Sequence, residues 1–180
     1  MDRLFVQRPG QYRGTFTELK VIGDKKGGMS SLYLRDNPHL LGKLQETVNV
    51  EIKFLHIMRN PFDIVATFFK QNPWNMDQAL QFVVGQIEGT AQTKARLNES
   101  DIFEMRHEDF IKNPEKHLVE ICGFLDIEPH VDYIETCSGI VKRRAHKSRS
   151  EIQWPYGSVN YLRTEIMKYD FLEGYRFDEI

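Results

Sequence analysis

Arg59, Asp63 and Thr67 are the residues of this chain whose types and spacing most directly suggest a binding chemistry. They lie in the stretch from Ile52 to Lys70, which carries Arg59-Asn60-Pro61-Phe62-Asp63 at its centre. Arginine presents a planar fork of donors that matches phosphate. Asp63 and Thr67 are at helical i, i+4 spacing and so share one helix face, which lets the Thr67 hydroxyl look back toward Arg59. The apolar run before the arginine, with Phe54, Leu55, Ile57 and Met58, has the length of a strand. Asn60 and Pro61 supply an N-cap and a first helical residue. The chain is therefore predicted to leave a buried strand, turn sharply and enter a helix. Free backbone N–H groups and the helix dipole make such a turn an anion site. A plain Asn-Pro turn with a surface arginine is the structural alternative.

A second candidate is the run Gly23-Asp24-Lys25-Lys26-Gly27-Gly28-Met29-Ser30-Ser31-Leu32, read as a glycine-rich turn leading into a helix. Glycines let backbone amides approach a phosphate closely, and the lysines add charge; a turn with solvated lysines is the bland reading. Gly23 and Gly28 have the separation of a nucleotide triphosphatase loop. Met29 stands where that motif needs lysine, and the next strand ends on Met58-Arg59 rather than on a magnesium-holding aspartate. ATP hydrolysis is disfavoured. The dense basic run, Lys142 to Arg149, reads as a solvated loop or a weak nuclear-localisation pattern.

The elements that must position these groups can be read in order. Residues 1–17 form an irregular entry segment, and Leu19–Ile22 is a short strand candidate. Asn37-Pro38 opens a helix bearing Leu40, Leu41 and Leu44. The first strand, this helix and the strand before Arg59 make a crossover that favours a parallel sheet. Met76 to Leu97 is helical, with a core stripe of Leu80, Val83, Val84, Ile87 and Ala91. Ile102–Arg106 is a third strand candidate, and Asn113-Pro114 opens a helix with Leu118, Ile121, Cys122 and Leu125. A short helix follows Pro129 as far as Cys137, and Val159 to Glu173 begins helical and then loses its period. His107 reads as packed or solvated rather than catalytic, because no partner for acid–base work is in view.

With 180 residues, 41% of them hydrophobic and 28% charged, the composition is that of one ordinary domain. The formal net charge of −2 gives no global electrostatic case for nucleic acid. Cys122 and Cys137 have neither metal nor redox spacing, and their pairing is left open. No apolar run reaches membrane length, the N-terminus shows no secretory pattern, and no cluster has metal-ligand spacing.

A strand, Arg-Asn-Pro-x-Asp, three residues and a hydroxyl residue resemble the 3′-phosphate-binding segment of sulfotransferases that use 3′-phosphoadenosine 5′-phosphosulfate (PAPS). The resemblance implies that Arg59 and Thr67 hold the 3′-phosphate, with threonine in place of the usual serine. The glycine-rich run can be matched in two ways. Lys26, Gly28 and Ser30 fit the phosphosulfate loop, Lys-x-Gly-Thr-Thr, from which Met29 departs. Alternatively Gly23-Asp24-Lys25 is a later strand-end lysine, as in tyrosylprotein sulfotransferases. Spacing to Arg59 favours the second match, on which the first strand and phosphosulfate loop are missing and the chain is a fragment or a degenerate copy. His107-Glu108-Asp109-Phe110 followed by Asn113-Pro114 resembles the family's Tyr-Glu-Asp-Leu block. The stretch Tyr169 to Tyr175 is similar to its terminal sequence. In many members a mobile basic loop near the C-terminus closes over the phosphates, which implies contacts from Lys147 and Arg149.

The fold so implied is α/β: one domain over residues 1–180, three-layered and similar to P-loop nucleotide kinases, with a small parallel sheet. The implied reaction moves a sulfuryl group from PAPS to a hydroxyl or amine acceptor: a carbohydrate, a tyrosyl protein or a small alcohol. Lys25, or Lys26 on the other match, would stabilise the bridging oxygen. No base is identified, though His39 and Glu46 are near in sequence. A catalytically silent relative that binds a nucleotide or a protein is the alternative, and an interaction module that binds no nucleotide is a third. The chain as it stands suits the cytoplasm, and a lost anchor would place it in the Golgi lumen.

Overall fold

A computed structural model describes residues 20–23 and 27–178. Two helices, α1 (Gly27–Asp36) and α2 (His39–Thr47), precede the strand β1 (Phe54–Met58). Helices α3 (Pro61–Gln71) and α4 (Met76–Lys94) carry the chain to β2 (Ile102–Arg106). The helices α5 (His107–Lys112), α6 (Pro114–Phe124), α7 (Val131–Gly139) and α8 (Ser158–Ile166) follow. β1 and β2 run parallel, from Phe54 opposite Ile102 to Met58 opposite Arg106. Parallel neighbours require a long crossover, and α3 with α4 supplies it. The architecture is α/β with a small parallel sheet.

The expected first strand does not form. Leu19 lies outside the described residues, while Lys20, Val21 and Ile22 are neither strand nor helix. A strand is held by a ladder and by burial of one face. Among the described residues β1 pairs with β2 alone, and Ile22 is 83% exposed. The crossover that makes the sheet parallel is therefore the one between β1 and β2.

Local chemistry explains the helix starts that frame the site. The Asn60 side chain accepts from the Phe62 N–H, and Pro61 occupies the first helical turn of α3. Asn75 and Gln78 form a reciprocal capping box at the start of α4. Most of the stripe expected on α4 is core: Leu80, Val83, Val84 and Ile87 are buried, and Ala91 is half-buried. They meet Phe62 and Val65 of α3, Leu162 and Ile166 of α8, and Leu172 and Tyr175 beyond it. α1 packs on the same helix so closely that a Cβ on Gly89 would sit 2.3 Å from the Ser31 carbonyl oxygen. Several boundaries move: α8 ends at Ile166, and a separate 3₁₀ turn covers Asp170–Leu172. Both cysteines are free, Cys122 buried and Cys137 partly so.

Candidate anion-binding site

The turn after β1 is built as the sequence suggests, and the segment 146–149 folds over it. Arg59 donates from Nη2 to the His146 carbonyl at 2.5 Å. Thr67 Oγ1 donates to the Asp63 carbonyl at 2.7 Å and lies 3.0 Å from Ser148 Oγ. His146 Nδ1 lies 3.0 Å from the same Ser148 hydroxyl, which is buried. Arg59 and Thr67 thus both engage this one segment, one through His146 and the other through Ser148. Arg59 keeps a donor in reserve: its Nε is sealed from solvent and makes no hydrogen bond.

The basic run divides into two parts. Arg149 is only 5% exposed and Asp63 only 2%. The Arg149 guanidinium donates to Asp63 Oδ2 at 2.5 Å, and its backbone N–H donates to Oδ1 at 3.0 Å. Its Nε reaches the Phe177 carbonyl at 2.8 Å, and Trp154 Nε1 donates to the Arg149 carbonyl at 2.9 Å. Phe62, Trp154 and Phe177 meet edge to face around it. Arg149 is a bolt fastening the segment to α3, and its charge is already matched. Lys147 is exposed and borders a cleft of about 180 Å³ with Asn60, Glu108, Lys112 and Arg143. Arg143 is itself paired with Glu115 at 2.6 Å.

Glu108 ties the turn to the C-terminal segment. Oε1 accepts the Asn60 N–H at 2.9 Å, and Oε2 accepts the Tyr175 hydroxyl at 3.0 Å. His107 beside it is half-buried, with Nδ1 sealed and unpartnered. Burial lowers its pKa below the ordinary histidine value; Glu108 opposes that shift and Arg59 adds to it.

Of the other residues singled out from sequence, two belong to α1 and two lie outside the described residues. Lys25 and Lys26 are not among those described. Gly28 and Ser30 belong to the first turn of α1, the helix into which the glycine-rich turn is expected to lead. Gly28 abuts the Gln86 side chain of α4, and Ser30 is exposed. Sequence reasoning missed Ser148, His146 and Asp63 as parts of one assembly. The i, i+4 placement of Asp63 and Thr67 signalled a shared face, but nothing local showed what would cover it.

An arginine directly after β1, a capped helix bearing a hydroxyl, and a polar segment folded across both make up the candidate anion site of this α/β domain. Residues 28–132 match the sulfotransferase family model. That is more than half of the sequence, and the chain belongs to the sulfotransferase family. Among solved structures it is similar to the sulfotransferase domain from the curacin biosynthetic pathway, at 15% identity and a TM-score of 0.51. The match covers 68% of this chain and 55% of that one, so the chain spans little more than half of that domain. No curated protein matches the sequence.

Proposed function

We propose that the chain binds PAPS and transfers its sulfuryl group to a hydroxyl or amine acceptor. One observation carries the reading. Arg59 directly follows β1 with its Nε buried and unpartnered, beside a segment that Thr67 also engages. A buried donor without an acceptor costs about 1–3 kcal/mol, and a phosphate oxygen would satisfy it. Arg59 and Thr67 are assigned to the 3′-phosphate. The first turn of α1, with Gly28 and Ser30, offers backbone N–H groups of the kind that hold a second phosphate. Lys25 or Lys26, just before it, is assigned to charge developing on the leaving oxygen. PAPS would supply the activated sulfuryl group, and the protein's part is positioning and charge stabilisation. Lys147 borders the cleft beside the Asn60 turn and is assigned to the bound nucleotide. Arg149 acts indirectly, by holding Ser148 in place.

Thermal unfolding with adenosine 3′,5′-bisphosphate tests this. At 100 times its dissociation constant the nucleotide stabilises the folded chain by about 2.7 kcal/mol. The shift is expected in the wild type and absent in Arg59→Ala. A wild type that does not shift would overturn the reading. Binding without turnover across an acceptor screen would mark the silent relative instead.

A further inference from the structure

Met58 lies opposite Arg106 at the end of the parallel ladder. Arg59 and His107 are therefore the next residues on neighbouring strands, just past their carboxyl ends, where open α/β sheets place their ligands. Among the described residues, the buried side-chain nitrogen and oxygen atoms without a hydrogen bond are Arg59 Nε and His107 Nδ1. The two unmet atoms thus belong to adjacent positions of one site. Arg59 Nε is always a donor, whereas His107 Nδ1 is a donor only in one neutral tautomer or in the cation.

We propose that His107 makes anion binding at the Arg59 site proton-linked, taking up a proton from solvent when a nucleotide phosphate binds. This rests on the nucleotide reading above and adds a regulation to it. The charged groups acting on the imidazole are Glu108, on its own helix, and Arg59, from the neighbouring turn. Without ligand, burial and the guanidinium both disfavour the imidazolium, against the pull of Glu108. A phosphate dianion on Arg59 reverses the sign of the neighbouring charge and brings acceptor oxygens to the ring. The imidazolium is then favoured, with a proton on both nitrogens. The proton comes from water and remains on the ring, and no bond in the nucleotide changes. Coupling is reciprocal: whatever raises the histidine's proton affinity is tightened by its protonation.

Calorimetric titration with adenosine 3′,5′-bisphosphate tests this at pH 6, 7 and 8, in two buffers of different ionisation heat. Wild-type affinity is expected to rise as pH falls, by at most about tenfold per pH unit, the limit for one linked proton. The buffer comparison should show net proton uptake. Phosphate's own second ionisation, near pH 6, works in the opposite direction and cannot imitate the effect. In His107→Gln the rise and the uptake should vanish while binding persists. A second measurement needs no variant: the ring-nitrogen NMR titration of His107, with and without saturating nucleotide, should move to higher pH on binding. An unmoved titration, or the same pH profile in His107→Gln, would overturn the proposal and leave the two atoms to a trapped water. Failure of the nucleotide to bind at any pH would overturn both this and the reading it rests on.

Discussion

At the scale of single residues, the Asp63–Arg149 pair decides where the site's cover sits. Both partners are almost fully buried, and Asp63 accepts from the Arg149 backbone as well as its guanidinium. Removing one member of a buried pair strands the other, at a cost of about 3–5 kcal/mol. Replacing both by apolar groups is often neutral. Asp63→Ala is therefore expected to lose on the order of 3–5 kcal/mol in urea unfolding, and Asp63→Leu with Arg149→Met to regain most of it. A single variant costing under about 1 kcal/mol, the range of an exposed pair, would show that the aromatic cluster of Phe62, Trp154 and Phe177 holds the segment unaided. The double variant also separates two roles for Arg149. If it folds and still binds nucleotide, Arg149 positions Ser148 and does not touch the ligand.

At the scale of elements, local signals were legible and pairings between distant segments were not. Asn60-Pro61 and Asn113-Pro114 read correctly as helix starts because proline in the first turn is a local cause. The stripe on α4 read correctly because burial of one helix face leaves a period in the sequence. Leu19–Ile22 looked like a strand by composition alone, but composition does not supply a ladder partner. The glycine-rich stretch reads as a turn leading into a helix, and that helix, α1, starts at Gly27. Gly27 and Gly28 start a helix that must lie close against α4, a requirement invisible without the partner helix. Arg149 is expected from the resemblance to contact the cofactor's phosphates; its pairing with Asp63 was not legible, because that acid lies far away in sequence on α3. The α1–α4 contact gives a direct comparison of glycines. Ala gains up to about 1 kcal/mol over Gly in a helix. Yet a Cβ on Gly89 meets backbone at 2.3 Å, whereas one on Gly123 of α6 meets nothing within 4 Å. Gly89→Ala should therefore destabilise by about 1–3 kcal/mol through overpacking, and Gly123→Ala should stabilise by about 0.5–1 kcal/mol. Equal midpoints for the two in urea would mean that α1 is not seated on α4 as described.

At the scale of the whole molecule, the sheet carries a titratable cluster that makes stability depend on pH. His56 on β1 pairs with Glu104 on β2 at 2.7 Å, and Lys94 of α4 reaches the other Glu104 oxygen at 2.7 Å. The imidazole edge rests against Phe171. Burial is the largest influence on His56 and lowers its pKa below 6.5; Lys94 acts the same way, while Glu104 opposes. In the unfolded chain the histidine takes up a proton near pH 6.5, whereas the folded protein resists it to lower pH. The unfolded state then binds more protons, so stability rises with pH across this window and falls on acidification. Each unit by which the folded pKa is lowered removes about 1.4 kcal/mol once the pH is below both values. Glu104 adds a loss at lower pH. Burial would raise its pKa, but the bonds from Lys94 and His56 hold it below 4.5, so its contribution disappears as the carboxylate protonates. His107, also lowered by burial, adds to the loss near pH 6. His56→Phe keeps an aromatic edge against Phe171 and leaves Glu104 paired with Lys94. Urea unfolding from pH 7.5 to 5.5 should therefore show a flatter decline in His56→Phe than in the wild type. An unchanged decline would assign the acid sensitivity to other groups. The remaining slope in His56→Phe should shrink again when nucleotide is bound, because the ligand is expected to turn His107 from a group that resists its proton into one that holds it.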